Sequence, residues 1–157
     1  MTVSIEVEDD AWLAMAGIEE LAHSAVEAAL AEAERNGGNW AVAVLFADDA
    51  GIAEINAEWR GKDTPTNVLS FPAPDNMPVP EGEPRPLGDI VLAHGTIARE
   101  AAVQGKTLHD HTAHLIVHGT LHLLGYGHEG DAEAEAMEAL ETRILKRLGI
   151  SDPYERD

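Results

Sequence analysis

The stretch of this chain best suited to chemistry runs from His118 to His128 and reads HGTLHLLGYGH. Residues four apart lie on the same face of a helix, so His118 and His122 can point at one common ion. Gly125 readily takes the left-handed conformation that ends a helix, after which the chain can turn and return His128 to that ion. Three neutral imidazoles leave the fourth tetrahedral position for water, as in catalytic zinc sites. We therefore predict a hydrolytic metal centre with His118, His122 and His128 as its ligands.

His114 lies one helical turn before His118 on the same stripe. A rise of about 1.5 Å per residue puts it roughly 12 Å along the helix from His122. Nitrogens that share a zinc ion lie much closer, because each Zn–N bond is about 2.0–2.1 Å. We expect His114 to lie outside the ligand set, behind the ligands. One zinc ion is the predicted cofactor, although three imidazoles also accept nickel, copper or another divalent metal.

The histidine spacing is also that of the metzincin proteases, whose motif has Glu directly after the first His. That glutamate is the general base of the protease, and here its position is Gly119. Glu129 is the nearest carboxylate in the sequence that a peptidase mechanism could use. A zinc metallopeptidase is therefore the alternative function.

The same residues resemble the signature H-G-x-L-H-L-x-G-Y-D-H of the YbeY family, bacterial endoribonucleases that act in ribosomal RNA maturation. Gly127 stands where that family usually has Asp. The change removes a carboxylate beside the third ligand, so its role would fall to another group, such as Glu129 or water.

A second stretch, Asn56 to Pro72, resembles another signature of this family, in which the usual run is P-T-D-V-L-S-F-P. Here Asn67 replaces the Asp, which keeps the hydrogen-bonding shape but loses the charge. The resemblance implies that Arg60 is a functional, catalytic residue. Its planar, permanently charged guanidinium suits a phosphodiester, whose developing negative charge needs fixed donors.

The family also carries a Gly-Asp-Ile run, which corresponds to residues 88–90 here. Asp89 could orient a ligand histidine or make a structural hydrogen bond. We treat a group of five side chains as candidates for supporting the ligands or contacting the substrate: His114, Lys62, Asn67, Ser70 and Asp89.

The resemblance implies a single-strand-specific, metal-dependent endoribonuclease. Its expected role is ribosomal RNA processing, including maturation of the 3′ end of 16S rRNA, and quality control of 70S ribosomes. The expected partners are single-stranded or ribosomal RNA and the ribosome or a small-subunit ribosomal protein. A non-catalytic ribosome-assembly factor with a structural metal is a further alternative.

The length and composition of the chain predict the number of domains and the location of the protein. Its 157 residues predict one metal-dependent hydrolase domain spanning residues 1–157. The sequence has no cysteine, no basic and apolar leader at its N-terminus and no run of about 20 apolar residues. We therefore expect a cytoplasmic protein with no membrane association.

The net charge of −19 conflicts with RNA binding, because nucleic-acid binders ordinarily present a basic patch to phosphate. Two explanations reduce the conflict. The acidic groups can lie on solvated helix faces away from the cleft, or the protein can reach RNA chiefly through a protein partner.

Periodicity predicts four strands and about five helices. The strands are Val3–Val7, Trp40–Ala47, Val68–Phe71 and Leu87–Ala93; the helices lie within Trp12–Arg35, from Asp48 through Glu58, and at Thr96–Gln104, Leu108–Leu124 and Asp131–Leu148. Pro72 to Pro86, which holds six of the eight prolines, predicts a long surface loop. The expected fold is α+β, a mixed four-stranded sheet packed with helices. The resemblance adds a core similar to that of zincin metalloproteases.

Overall fold

The structure, a computed structural model, describes residues 1–35, 38–74, 78–127 and 129–153. A short 3₁₀ helix at Asp10–Ala14 follows the first strand. The strands and α-helices are, in chain order, β1 (Thr2–Val7), α1 (Ile18–Glu32), β2 (Trp40–Ala47), α2 (Asp49–Arg60), β3 (Val68–Pro72), β4 (Arg85–Ala93), α3 (His94–Gln104), α4 (Leu108–Leu123) and α5 (Asp131–Arg147).

The four strands form one sheet in the order β1-β2-β4-β3. β1, β2 and β4 run parallel, whereas β3 pairs antiparallel with β4 and forms an edge of the sheet. The predicted mixed four-stranded sheet of an α+β fold is therefore confirmed. The zincin-like character of the core stays a prediction.

Alternating residues of the central strands face two separate apolar clusters, as the period of two in a strand requires. One face packs against α1, α4 and α5 through Val42, Val44, Phe46, Ile90 and Leu92. The other face packs against Ile52 of α2 through Ala47, Leu69, Val91 and Ala93. α4 and α2 therefore lie on opposite faces of the sheet.

The predicted helix within Trp12–Arg35 is divided in the structure. Gly17, at a φ of 75°, precedes the first residue of α1, so the chain turns there rather than continuing a helix. Trp12 belongs to the preceding 3₁₀ helix, is fully buried and donates its indole N–H to the Ala47 carbonyl at 2.8 Å. Trp12 fits the helical pattern of the sequence because it is buried against the end of β2, but it does not belong to α1.

The proline-rich loop is shorter than predicted, because β4 begins at Arg85 and includes Pro86. Pro86 pairs with Ala41 immediately before a register shift in the β2–β4 ladder. A proline has no N–H to donate, and such an irregularity is one of the places where a sheet tolerates it. Residues 75–77 of the predicted loop lie outside the described residues.

The other boundaries agree with the predicted ones to within about three residues. α2 extends to Arg60, α3 begins at His94, and α4 and α5 end one residue early. None of the helices in the described ranges is long and apolar enough to cross a membrane.

Candidate metal centre

α4 carries the histidine stripe and is anchored at both ends. The Thr107 hydroxyl accepts a hydrogen bond from the Asp110 N–H at 3.0 Å and caps the helix N-terminus. At the other end Gly125 has a φ of 100°, the positive value predicted for the residue that turns the chain out of the helix. Most of the helix between these points is buried, which fixes the direction of its remaining side chains.

His118 and His122 point at each other from successive turns of α4. Their Nε2 atoms are 2.9 Å apart, and the ring centroids are 4.5 Å apart. The outer nitrogen of each ring is already engaged. His118 Nδ1 lies 2.6 Å from Glu141 Oε1, and His122 Nδ1 lies 2.9 Å from the Tyr126 carbonyl oxygen.

These contacts determine where the ring hydrogens lie. A carboxylate and a carbonyl oxygen only accept hydrogen bonds, so each Nδ1 must donate. In the neutral rings, each Nε2 then carries a lone pair directed at the space shared with the other. Two lone pairs this close repel each other unless a proton or a metal cation lies between them.

A zinc ion fits this pair of nitrogens. Two nitrogens bonded at 2.0–2.1 Å to a tetrahedral zinc lie about 3.3 Å apart, so only a small movement from the observed 2.9 Å is needed. Within the described residues no group of three or more His, Asp or Glu side chains is placed to hold a metal. The predicted third ligand, His128, lies outside the described residues.

Glu141 of α5 is the group that orients this pair, and the sequence interpretation missed it. Its carboxylate is fully buried and accepts from two imidazoles, His118 at 2.6 Å through Oε1 and His114 at 3.0 Å through Oε2. Ligand histidines commonly donate their second ring N–H to a carboxylate, which fixes the ring and raises its basicity. The available signal was a charged residue on the apolar stripe of α5, whose other members are Met137, Leu140, Ile144 and Leu145.

We expect Glu141→Gln to lower the metal affinity of the site by about 10- to 100-fold, the usual cost of losing such a carboxylate. The amide keeps the volume but removes the negative charge that supports both histidines. Competition with a chromogenic chelator measures the affinity, and Glu135→Gln, at an exposed position of the same helix, is the matched control. Equal affinities for the two variants would show that Glu141 only fills space.

Comparisons with known proteins identify the family of the chain. The family profile described as Endoribonuclease YbeY matches residues 4–149. The chain belongs to the YbeY endoribonuclease family. Among curated relatives, Endoribonuclease YbeY of Dinoroseobacter shibae is 52% identical, covering 98% of this chain and 91% of the relative. Endoribonuclease YbeY of Nitrobacter winogradskyi is 51% identical, covering 96% of this chain and 80% of the relative.

A protein from Thermotoga maritima with a known solution structure shares the fold. It superposes with a TM-score of 0.59 at 22% identity, covering 99% of this chain and all of that one.

In this YbeY chain, Gly119 packs against the sheet. A Cβ at this position would lie 3.0 Å from Ser70 Oγ and 3.2 Å from Ile90 Cγ2. A glutamate here would meet β3 and β4, so the position cannot carry the general base of a metzincin without rearrangement. Ser70 itself, one of the candidate side chains, is thereby placed at the contact between β3 and the ligand helix.

The carboxylate nearest to Gly127 comes from α5. A Cβ at Gly127 would lie 2.9 Å from Glu133 Oε1, which places an exposed acidic group where the YbeY signature usually has Asp. Sequence reasoning named Glu129, the neighbour in the chain, and could not foresee that the first turn of α5 folds back to this point.

Asn67 ties the start of β3 to α3 and α4. Its amide nitrogen donates to Glu100 Oε1 at 3.0 Å, and its amide oxygen accepts from the Val68 N–H at 2.7 Å. Glu100 also accepts from His111 Nε2 at 2.9 Å. Asn67 therefore uses both ends of its amide and is linked through Glu100 to α4, the helix that carries the histidines.

His111 of α4, the partner of Glu100, is buried. Burial lowers the pKa of His111, and the hydrogen bond with Glu100, which raises it, does not offset the burial. The ring is therefore neutral at pH 7. A neutral donor and an amide both suit a charged Glu100, whereas an aspartate at position 67 would place a second carboxylate against it.

The remaining candidates lie on the α2 side of β3. Arg60 is exposed in the last turn of α2, and Lys62 is exposed just beyond it. Asp89 pairs with Phe71 in the sheet and faces away from α4. Glu141 and the Tyr126 carbonyl orient His118 and His122, so Asp89 orients neither of these two rings, and its role stays a prediction.

Proposed function

We propose that this YbeY protein is a single-strand-specific, metal-dependent endoribonuclease, active as one domain spanning residues 1–157. The observation that supports the metal centre best is the convergence of two imidazole Nε2 atoms, 2.9 Å apart, whose Nδ1 hydrogens are both donated elsewhere. Such a pair binds a divalent cation with no change of tautomer.

His118, His122 and His128 would hold the ion, which we propose to be zinc, with nickel or another divalent metal as substitutes. When bound, a divalent ion polarises a phosphoryl oxygen as a Lewis acid. Glu141 keeps the His118 ring in the orientation that presents Nε2, and the buried position of its carboxylate excludes water from that hydrogen bond.

Arg60 would bind the scissile phosphate. Its guanidinium is exposed at the end of α2, on the sheet face opposite α4, and β3 is an edge strand of that sheet. A single RNA strand that crosses the edge of β3 can therefore contact both Arg60 and the imidazoles of α4. The attacking group is either water or the 2′-hydroxyl of the RNA, and the product ends distinguish them.

The biological role proposed from the family is ribosomal RNA processing in the cytoplasm, including maturation of the 3′ end of 16S rRNA and quality control of 70S ribosomes. A net charge of −19 makes unaided capture of RNA weak. Delivery by the ribosome or a small-subunit ribosomal protein removes that need.

The metallopeptidase alternative is weaker, since Gly119 faces β3 and β4 and leaves no base at the position used by metzincins. An assembly factor with a structural metal would share the histidine geometry but would show no turnover on either polymer.

Incubation of the protein with single-stranded RNA and with casein tests the proposal. We expect the metal-replete protein to cleave the RNA, the chelated protein to leave it intact, and casein to survive both. A 5′-phosphate end would identify water as the attacking group, and a cyclic phosphate the 2′-hydroxyl. Cleavage of casein but not RNA would reverse the assignment, and no turnover on either would favour the assembly factor.

A further inference from the structure

One large aromatic side chain on the α2 side of the sheet is exposed beside Arg60. Trp59 is 68% exposed, although it is among the largest apolar side chains in the chain. Its ring contacts Phe71 of β3, with centroids 6.2 Å apart and ring planes inclined by 57°. The packing of the protein itself does not explain why the rest of this ring faces water.

The segment that carries Trp59 is held rigidly. The side chain of Asn56, one turn earlier on α2, is buried and donates to the Thr64 carbonyl at 2.9 Å. Gly61 ends the helix in the left-handed conformation, with its N–H on the Ala57 carbonyl. These hydrogen bonds fix the backbone at the end of α2, from which the exposed indole projects.

Trp59 and Phe71 form one wall of a cavity of about 1280 Å³ on the sheet face opposite α4. None of the described residues that line this cavity is Lys or Arg, and its charged side chains are Glu6 and Asp89. Asp89 lies directly across from Phe71 in the β3–β4 register. The cavity therefore repels a phosphate, whereas an aromatic wall beside a hydrogen-bond acceptor suits a nucleobase.

We propose that Trp59, supported by Phe71, is a stacking platform for one unpaired nucleobase of the RNA strand. The inference rests on the proposed ribonuclease function and names a substrate subsite for it. Trp59 directly precedes Arg60, so a base stacked here belongs to a nucleotide close to the phosphate that Arg60 binds. Stacking supplies affinity without cations, which an acidic chain with few basic residues requires.

The test combines a protein variant with a modified RNA. Abasic nucleotides are placed one at a time along a short single-stranded substrate, and kcat/KM is measured for wild type and Trp59→Leu. Trp59→Phe keeps an aromatic face and serves as the conservative variant. Val103→Ala, at an 87% exposed apolar position on α3, is the matched control.

We expect Trp59→Leu to lower kcat/KM on intact RNA by about 5- to 160-fold, the range that corresponds to base–aromatic stacking, with Trp59→Phe much less affected. At one abasic position wild type should lose the same factor, and Trp59→Leu should lose nothing further there. The proposal would be overturned if Trp59→Leu and Val103→Ala had the same kcat/KM. It would also be overturned if every abasic position lowered kcat/KM equally in wild type and in Trp59→Leu.

Binding of the same RNAs to metal-free protein, followed by fluorescence anisotropy, separates this inference from the proposed function. A protein that cleaves no RNA but shows the coupled loss of affinity would keep the platform and reject the nuclease. Cleavage of RNA, with no coupling between residue 59 and an abasic position in either measurement, would keep the nuclease and reject the platform.

Discussion

Replacing His122 with alanine should yield a protein that no longer retains metal and cleaves RNA no faster than chelated wild type. The variant loses one of the two Nε2 atoms that converge in the structure, together with the ring fixed by the Tyr126 carbonyl. His118→Ala should behave in the same way, because each ring contributes one nitrogen to the shared position. Metal content by elemental analysis and initial cleavage rates on one single-stranded RNA measure both effects.

His114→Ala is the matched control for these variants. His114 lies on the same stripe of α4 and contacts the same carboxylate, but through the other oxygen of Glu141. We expect His114→Ala to lose much less metal than His122→Ala, since His114 contacts Glu141 and does not itself bind the metal. Equal metal loss from the two variants would contradict the ligand assignment.

Arg60→Lys should keep the fold and the metal but lose about 10²–10³ in cleavage rate. The loss corresponds to about 2.7–4 kcal/mol of transition-state stabilisation, by analogy with a deleted oxyanion-hole donor. A lysine keeps the positive charge but cannot offer two parallel hydrogen bonds to a phosphate. Metal content and melting temperature should barely change, because Arg60 is exposed at the end of α2.

Arg143→Lys serves as the control for Arg60→Lys, since Arg143 is 64% exposed on α5 and its nearest carboxylate, on Glu32, is 3.9 Å away. Rates on the same RNA at saturating metal decide the outcome. Full activity in both Arg60→Lys and Arg60→Ala would show that this arginine is part of the scaffold and that the proposed transition-state contact is wrong.

The features predicted well from sequence depend on neighbours in the chain. The spacing of His118 and His122 is a property of a single helix, and Gly125 ends that helix by its own conformational freedom. The apolar run of Trp40–Ala47 likewise predicted a buried strand, which is β2. Such local patterns need no knowledge of how distant segments meet.

The features that were missed depend on contacts between distant segments. Glu141 lies 23 residues after His118, and on sequence alone its carboxylate resembles the many exposed acids of α5. Glu100 reaches Asn67 from 33 residues away. Strand alternation gives two faces, and only the packing shows that Asp89 lies on the face opposite α4.

The position of Glu141 near the C-terminal end of the fold also has a consequence for the time at which the protein becomes active. Synthesis proceeds from the N-terminus, so His114 and His118 leave the ribosome before the carboxylate that both of them contact. A nascent or truncated chain that ends before α5 has the histidine helix but not its buried anchor. We therefore expect the histidine pair to reach its full metal affinity only after the last helix has been made and has docked.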